Sequence, residues 1–435
     1  MKSIWQSNQS ISDFKKQKGE IKTDVLVVGG GIAGILCAYT LKNAGVDVTL
    51  VEANRICSGV TGYTTAKITS QHGLIYHRML QKMGEENTRL YLEAQESALK
   101  EYRNLCKSID CDFENRDAFV YSRNDEDCID LELTALQKLG YTAEYSSAPL
   151  LPFSVAGSVR FLNQGQFHPL KFLNHISHGL RIFENTKVLE LSPDGLRTNR
   201  GRIRAEKIVI ATHFPILNKH GMYFLKQYQE RSYVLALKNA QDVNGMYIDA
   251  AKGGFSFRNY GNLLLLGGNS HRTGKQSNGW CDLIEFSDKY YPLSQEMRRW
   301  ATQDCMTLDG VPYIGRYSKS TPNLYVATGF GKWGMTNAMV ASHVITDLIC
   351  GKKNPYEELF SPSRSMLHPQ LGMNIYESLC GVLTPRKPRC PHLGCALTWN
   401  PQERSWDCSC HGSRFTENGE LLNNPATDDL NRKGG

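Results

Sequence analysis

The polar start of the chain gives way to a short, continuous apolar run. Thr23–Val28 is typical of a buried parallel strand. Gly29–Gly34 then forms a glycine-rich turn, and the apolar periodicity after it predicts a helix to about Asn43. Asp47–Val51 predicts a second strand, which ends in Glu52. The pattern therefore predicts a βαβ unit near the start of the chain.

The glycine-rich turn has the spacing of a dinucleotide site. Its G-x-G-x-x-G glycines are Gly29, Gly31 and Gly34, and Ile32 and Ala33 begin the predicted helix. Such glycines permit a tight turn and close backbone approach to a pyrophosphate, whose charge the helix N-terminus faces. Glu52, an acid 21 residues past Gly31, is placed to accept hydrogen bonds from ribose hydroxyls. A purely structural glycine turn is the alternative.

The middle of the chain mixes helical and strand patterns. Residues 76–105 keep a three-to-four apolar spacing, which predicts one long amphipathic helix packed on the core. A strand is expected at 118–122, a helix at 126–139, and a small meander followed by a strand at 187–212. From 214 to about 266 the pattern turns to β. We expect an α/β fold in which an α+β substrate domain interleaves with a Rossmann-type domain.

Composition excludes several classes of protein. The chain has 435 residues, is 41% hydrophobic and 21% charged, and so predicts two or three ordinary globular domains. A net charge of +7 without a long basic block argues against a nucleic-acid partner. Residues 1–20 form a polar extension without a signal-like apolar region, and no apolar run reaches the ~20 residues of a membrane helix. We therefore expect no integral membrane segment.

Cysteine usage points to a reducing compartment. The chain has thirteen cysteines, and the nine outside the C-terminal tail share no spacing. An odd scatter favours buried free thiols over an extracellular disulfide framework. We therefore expect a cytoplasmic protein, and the sequence leaves its oligomeric state open.

A second glycine-rich turn lies far along the chain. Leu324–Thr328 predicts a strand, Gly329, Gly331 and Gly334 follow it, and a helix then begins at Met335 and Thr336. Together with Arg55 and the Gly/Ser/Thr-rich run Ser58–Lys67, this turn resembles the D-amino-acid oxidase and glycine oxidase superfamily of flavoproteins. The resemblance covers about residues 21–350 and implies FAD. It also implies that the loop with Thr61 and Thr65 lies against the pyrophosphate and flavin, and that the second helix points at the flavin pyrimidine.

This resemblance also divides the domain. We expect the FAD-binding parts at about 21–75, 155–215 and 305–350, and the substrate-side parts at about 76–154 and 216–304. Candidate substrate residues share a place on the predicted sheet or beside the second glycine turn: Tyr233, Tyr247, Arg258, His271, Arg272 and Trp333. An arginine fork suits a substrate carboxylate, although a structural or surface role is the alternative for each residue. The run from His271 is compatible with a simple turn.

The tail carries four metal-capable residues in two halves. Cys390 and His392 are followed after fifteen residues (393–407) by Cys408 and His411. Two thiolates and two imidazoles in this order suit a [2Fe–2S] cluster with mixed ligands. A structural zinc site usually groups Cys with Cys and His with His, unlike this tail. Zinc and an empty, decayed site remain the alternatives.

The two tail loops resemble those of Rieske proteins of the cytochrome bc type. The resemblance implies that Cys390 and Cys408 bind one iron, that His392 and His411 bind the other, and that Cys395 and Cys410 form a disulfide. Two free thiols are the alternative. We expect a linker at 351–380 and a small all-β domain at 381–435, although the β-sheet base of a whole Rieske domain is missing before the first loop.

Combining the two halves suggests a function. A flavin accepts a hydride as two electrons, whereas the cluster carries one electron at a time. We expect an FAD-dependent enzyme that oxidises a small molecule, with an amine or amino acid as first guess, and passes electrons through the cluster to an unknown acceptor. The alternatives are an oxidase that uses O2 beside a vestigial tail, and a non-catalytic electron-transfer module.

Overall fold

Three β-sheets and the helices packed on them make up the computed structural model, which describes residues 1–8, 11–192, 195–217, 220–385 and 388–430. The helices are α1 Ile4–Asn8, α2 Ile32–Asn43, α3 Tyr76–Cys106, α4 Asp127–Lys138, α5 Pro169–Ser177, α6 Tyr223–Lys226, α7 Cys281–Tyr290, α8 Gly334–Ile349, α9 Glu357–Phe360 and α10 Pro369–Leu383. Within these residues, no helix combines the length and the apolar character needed to cross a membrane.

The strands, numbered along the chain, are β1 Ile21–Val28, β2 Val48–Val51, β3 Lys67–Ile68, β4 Glu114–Ser122, β5 Glu144–Ser146, β6 Gly157–Gln166, β7 Arg181–Phe183, β8 Val188–Ser192, β9 Gly195–Thr198, β10 Gly201–Ile210, β11 Gln227–Lys238, β12 Met246–Asp249, β13 Ser256–Tyr260, β14 Leu263–Arg272, β15 Gln295–Thr307, β16 Tyr313–Arg316, β17 Leu324–Thr328, β18 Leu397–Asn400, β19 Ser405–Cys408, β20 Arg414–Thr416 and β21 Leu421–Asn423.

The first sheet has the order β16-β17-β10-β1-β2-β7, with the β8–β9 hairpin added beside β10. Pairings from β17 to β7 are parallel, whereas the edge strand β16 pairs antiparallel with β17, and β9 of the hairpin pairs antiparallel with β10. β1 is apolar because it is central and covered on both faces. The predicted βαβ unit and meander are confirmed, although the meander's last segment and the returning strand form one continuous strand, β10.

Helices α2 and α8 pack on this sheet and on each other, and both begin directly after a glycine-rich turn. Neither helix has the exposed polar face of a typical surface helix, because the sheet covers one side and the neighbouring helices cover the other. Since parallel strands present their carboxyl ends at one edge, both turns meet at the same edge of the sheet.

The second sheet runs β15-β11-β14-β13-β12-β4-β6-β3, with β5 beside β6. Its pairings are antiparallel except for β12 with β4, which is parallel. The long helix α3 forms as predicted but breaks at Gly84, which has φ +78°. The strand β15, thirteen residues long, was not predicted over most of its length.

The polar N-terminal extension is part of the core, which the sequence did not predict. Trp5 is fully buried, and its indole Nε1 donates to the Thr64 carbonyl at 2.7 Å. Ser3 Oγ donates to the Gly62 carbonyl at 2.5 Å. Helix α1 thus braces the loop that follows β2.

The segment 351–380, expected as a linker, contains two helices. Helix α10 begins at Pro369 behind an N-cap, His368, whose ring nitrogen accepts from the Gln370 backbone. α10 continues to Leu383 and so runs into the tail. The tail itself is a four-stranded antiparallel sheet, β18-β19-β20-β21, which matches the expected all-β fold.

Candidate functional site

A cavity of about 650 Å³ lies where the two glycine-rich turns meet. Residues from Gly29 to Ala33 and from Gly329 to Met335 line it, as do residues of β11, β14 and β15. The tail also borders the cavity, through residues 421–424 and 426–427. The cavity therefore touches each of the three sheets.

The glycines of the first turn differ in what surrounds them, and only one of them faces open space that a ligand could fill. A Cβ atom on Gly29 would lie 2.4 Å from the Ala211 carbonyl oxygen, and one on Gly34 would lie 1.9 Å from the Gly29 carbonyl oxygen. Both glycines are therefore required by close backbone packing. A Cβ on Gly31 would meet only Thr61 Oγ1, at 3.1 Å, and would project beside the cavity. This open cradle fits a pyrophosphate.

Two predicted residues organise the turn itself. Thr61 Oγ1 accepts from the Ile32 backbone N–H at 3.0 Å and so caps α2. Glu52 Oε2 accepts from the Gly30 backbone at 2.7 Å, and its Oε1 accepts from the Asn54 backbone at 2.8 Å. Burial raises the pKa of Glu52, while these hydrogen bonds lower it. The carboxylate borders the cavity and has lone pairs left for ribose hydroxyls.

Arg55 also borders the cavity but is held at its rim. Its guanidinium contacts Asp13 at 2.5 Å and Glu184 at 3.1 Å, and it also donates to the Ile11 carbonyl. The side chain is about half exposed. It therefore ties the N-terminal segment to the first sheet as well as reaching the cavity.

The second turn uses left-handed glycines and aromatic stacking. Gly329 and Gly331 have φ +73° and +57°, values that favour glycine. The Trp333 ring stacks on His72 with centroids 4.8 Å apart. His72 Nε2 lies 3.0 Å from Thr336 Oγ1, and burial lowers the pKa of His72 to about 3, so this ring is neutral. The predicted residues Gly334 and Met335 line the cavity, while Thr336 lies just behind them.

Three of the four predicted catalytic residues lie outside the cavity. Arg258 is fully buried and donates to the carbonyls of Thr65 and Ala66, at 2.7 and 2.8 Å. These two hydrogen bonds hold the Ser58–Lys67 loop in place. Thr65, which borders the cavity, is therefore positioned through its backbone carbonyl. Burial lowers the pKa of Arg258 to about 9.

His271 and Arg272 are not in a turn; they end strand β14. The His271 ring stacks on Tyr233 at 5.7 Å. Arg272 donates to the tail carbonyls of Ser409 and Cys410, at 2.8 and 2.9 Å. The expectation that Arg258 or Arg272 meets a substrate in this cavity is therefore not met, since both guanidinium groups are engaged elsewhere.

Of the remaining candidates, Trp333 and Tyr233 border the cavity and Tyr247 does not. The Tyr247 ring instead stacks on Phe119, with centroids 4.5 Å apart. Trp333 is therefore the single predicted catalytic residue that the structure brings to the cavity.

Sequence reasoning assigned no role to several titratable residues that line the cavity, among them Lys67, His213 and Asp304. Burial lowers the pKa of Lys67 to about 7, with a smaller contribution from Arg258. Burial also lowers the pKa of His213 to about 4. Burial raises the pKa of Asp304 to about 7, against the opposing effect of Lys332. No sequence signal indicated Asp304, because β15 was not predicted over this stretch and its residues do not alternate between apolar and polar.

The tail brings its two Cys–His pairs together. Cys390 and Cys408 are buried, at 2% and 1% exposure, and the rings of His392 and His411 lie edge to face with centroids 4.9 Å apart. Both ring nitrogens of His411 are buried without a hydrogen-bond partner among the described residues. Burial lowers the pKa of His392 to about 4, so the imidazole is neutral, as a metal ligand must be. This donor set fits a cluster with one thiolate-bound and one imidazole-bound iron.

The other two tail cysteines adjoin this site. The Sγ atoms of Cys395, Cys408 and Cys410 all lie within 4.8 Å of one another. Cys395 and Cys410 are free thiols in this structure, so the disulfide implied by the resemblance is not formed in it. Their closeness is nevertheless what a clamp between the two loops would need.

The tail loops rest on the second sheet through polar side chains. Gln229 Nε2 donates to the carbonyls of His411 and Asn424, each at 2.8 Å, and Gln303 Nε2 donates to the Gly412 carbonyl at 2.8 Å. A Cβ on Gly412 would lie 2.6 Å from Gln229 Cβ, so the loop approaches the strand very closely. The second sheet thereby supports the tail loop that contains His411 and Gly412.

A buried ion-pair network joins the tail to the same sheet. Glu403 contacts Arg231 at 2.5 Å and Arg414 at 3.0 Å, and Arg414 also contacts Asp407 at 2.9 Å. All four side chains are at most 10% exposed. Burial alone would raise the pKa of Glu403, but the two arginines hold it at about 2.

Strands β11 and β15 lie between part of the cavity and the tail loop that contains His411 and Gly412. Ser232, Thr302 and Asp304 border the cavity, whereas Gln229 and Gln303 contact the tail. This division follows from the period of two along a strand. The two candidate cofactor sites therefore share the same pair of strands.

A second connection runs around the end of β10. His213 lines the cavity, and the next residue, Phe214, is fully buried. The Phe214 ring centroid lies 6.3 Å from that of His392 and 6.4 Å from that of His411. Two consecutive residues thus reach from the cavity to the candidate iron ligands.

Comparisons with known proteins agree with this geometry. The DAO family of FAD dependent oxidoreductases matches residues 24–348, which is most of the chain. The chain belongs to this family. The Rieske [2Fe-2S] domain matches residues 376–432, so this FAD-dependent oxidoreductase carries an FAD-binding domain and a Rieske domain.

Relatives share one or both parts. The oxidoreductase is 32% identical to the Rieske 2Fe-2S iron-sulfur protein YhfW of Bacillus subtilis, over 98% of this chain and 96% of that protein. It is 24% identical to gamma-glutamylputrescine oxidoreductase of Escherichia coli, over 81% and 89% of the two chains. The glycine oxidase structure from Geobacillus kaustophilus covers 80% of this chain and 100% of its own, with a TM-score of 0.67 at 19% identity, which shows a shared fold.

Proposed function

We propose that this oxidoreductase removes a hydride from a small amine or amino acid at FAD and passes the electrons singly through its [2Fe–2S] cluster to an acceptor. FAD supplies the two-electron chemistry when bound, and the protein positions it. The arrangement that carries the proposal is the shared pair of strands, β11 and β15, between the cavity and the docked tail. The name of the relative gamma-glutamylputrescine oxidoreductase supports oxidation next to nitrogen.

In this proposal the residues of the FAD site have separate tasks. Gly31 leaves space for the pyrophosphate, and Glu52 accepts from the ribose. The N-terminus of α8, at Gly334 and Met335, would place a partial positive charge beside a flavin held in the cavity and so would favour negative charge on it. Trp333 and His72 form a stacked, neutral wall beside it.

The tail residues act in the proposal as an electron relay. Cys390 and Cys408 would hold one iron, and His392 and His411 the other, as their burial and proximity support. Cys395 and Cys410 would form the clamp when oxidised. Phe214 fills the space between the cavity side of β10 and the two imidazoles, so no water-filled gap needs to be crossed there.

Rapid mixing without oxygen tests the whole sequence of events. Candidate amines and amino acids are added to the full chain, and flavin absorbance and the electron paramagnetic resonance of the reduced cluster are followed together. We expect flavin bleaching first and the cluster signal second. In Cys408→Ser the flavin should bleach at an unchanged rate with no cluster signal. Stoichiometric zinc in place of iron and labile sulfide would contradict the relay. Rapid formation of peroxide in air, with no reduction of the cluster, would contradict it as well.

A further inference from the structure

Asp304 is an acidic side chain in the part of the cavity formed by the second sheet. It lies on β15 opposite Glu230 of β11, and it borders the cavity together with Thr302. Its carboxylate makes no hydrogen bond or ion pair to any described residue. A carboxylate in such a position ordinarily has a partner, because burying an unpaired charge is unfavourable.

The neighbouring charges leave Asp304 uncompensated. Lys332 is the nearby cation, but its Nζ lies 3.2 Å from Glu230 Oε2 and donates to Ser270 Oγ at 2.7 Å. Arg231 acts on Asp304 from the opposite face, where it is paired with Glu403. Lys332 and Glu230 therefore balance each other, while Asp304 lines the cavity without a counter-ion of its own. This leaves room for one more positive charge beside Asp304.

The arginine side chains that would suit a substrate carboxylate are engaged by other partners. Arg258 and Arg272 are both engaged outside it, and Arg55 is paired at its rim. Lys67, Lys187 and Lys252 also line the cavity, but none of them is among the charged groups that act on Asp304, and Lys187 is paired with Asp428. An α-amino acid needs both of its charges matched within a few ångströms.

We propose that Asp304 binds the positively charged nitrogen of an amine substrate and that this substrate carries no carboxylate next to that nitrogen. The inference rests on the proposed function and narrows it to simple amines or diamines. It makes Asp304 a specificity-determining residue. The carboxylate supplies the missing partner for the ammonium group, and burial makes the discrimination between cation and anion steep.

The test separates binding from oxidation. tert-Butylamine has no hydrogen on the carbon that bears nitrogen, so it binds without reducing the flavin. Its anionic isostere is trimethylacetate. Both are titrated into the FAD-loaded full chain, and the dissociation constants are read from the shift of the flavin absorbance spectrum. We expect tert-butylammonium to bind more tightly than trimethylacetate in the wild-type protein, which requires no variant to fold.

Two variants then test whether Asp304 is the acid that binds the ammonium group. Asp304→Asn should weaken tert-butylammonium binding roughly 10- to 100-fold. The control is Asp249→Asn, which removes an acid that borders the same cavity on β12. If the position of the charge determines binding, rather than the net charge of the cavity, this variant should change the affinity less than threefold. Equal effects of the two variants, or tighter binding of trimethylacetate, would overturn the inference.

Oxidation assays keep the two proposals distinguishable. Anaerobic bleaching of FAD by butylamine, 1,4-diaminobutane and 2-aminobutanoate should be fast for the first two and slow for the third. Fast bleaching by 2-aminobutanoate that Asp304→Asn leaves intact would refute the role of Asp304 while supporting the proposed oxidation. If tert-butylammonium binds as expected but no nitrogen compound bleaches the flavin, the proposed function is wrong and the cation site stands.

Discussion

Glu403→Gln should destabilise the packing of the tail on the second sheet more than a Glu→Gln substitution at an exposed position does. Glu403 bridges Arg231 of β11 and Arg414 of the tail, and its side chain is 10% exposed. Glu403→Gln keeps the size of the side chain but removes its charge. Arg414 retains Asp407, whereas the Arg231 guanidinium loses its partner in a buried place.

The size of the effect follows from the pKa of Glu403. Holding that pKa at about 2 instead of 4.5 favours the ionised carboxylate by on the order of 3 kcal/mol. Removal of one partner from a buried ion pair destabilises by about 3 to 5 kcal/mol, which agrees. Because urea lowers stability by ~1 to 3 kcal/mol per molar, the unfolding midpoint of the tail should fall by roughly 1 to 3 M.

Two optical signals resolve the tail from the body. Visible circular dichroism of the cluster follows the tail during a urea titration, and flavin absorbance follows the FAD-binding domain. The matched control is Glu417→Gln, whose pair with Arg404 is mostly exposed, at 55% and 72%; such pairs contribute about 0 to 1 kcal/mol. Equal midpoint shifts in the two variants would refute the reasoning, as would a flavin midpoint that falls as far as the cluster midpoint.

The contacts of Glu403 with Arg231 and Arg414 also predict that the stability of the tail depends on pH. The pKa of Glu403 is lower in the folded protein than its ordinary value of 4.5, so its stabilising effect is complete above that pH. The effect is lost as pH falls from 4.5 towards 2, where the carboxylate becomes protonated. Wild-type protein should therefore lose its cluster signal on acidification over this interval, while Glu403→Gln should show a smaller change there.

Three further substitutions test the cofactor sites. Gly31→Val places methyl groups beside Thr61 Oγ1 and the pyrophosphate cradle, so the purified variant should contain no FAD; wild-type FAD content would contradict this role. Glu52→Gln should weaken FAD binding roughly 10- to 100-fold in a fluorescence titration while the fold is retained, and unchanged affinity would count against the ribose contact. His411→Cys exchanges a neutral imidazole for a thiolate, so a redox titration should give a lower cluster potential; an unchanged potential would exclude His411 as a ligand.

The FAD-binding half of the fold was predictable because its signals are local. A buried strand, a glycine turn and a periodic helix follow one another between Thr23 and Asn43, so each supports the assignment of the next. The two cysteine–histidine pairs were equally local. Their residue types and spacing predicted a site that the structure brings together.

Residues whose roles depend on distant partners were not predictable in the same way. Arg258 and Arg272 had the chemistry for a carboxylate, but nothing in their neighbours along the chain shows that backbone carbonyls 192 and 138 residues away occupy them. Segment 351–380 contains enough Lys, Pro and Ser to suggest a linker, yet α10 forms within it and contacts α6. Asp304 was missed because β15, with polar residues at many positions, shows no alternation of apolar and polar residues.

The docking of the tail by Gln229 and Gln303 fixes an order of assembly. Chains are made from the N-terminus, so β11 and β15 leave the ribosome before Cys390 does. The donors that hold the loop carbonyls of His411 and Gly412 are thus in place when the last strands arrive. We therefore expect iron loading to depend on a folded FAD-binding domain, and a chain in which that domain has not folded should keep its tail cysteines as free thiols. Metal content would in this way report on the folding of the FAD-binding domain.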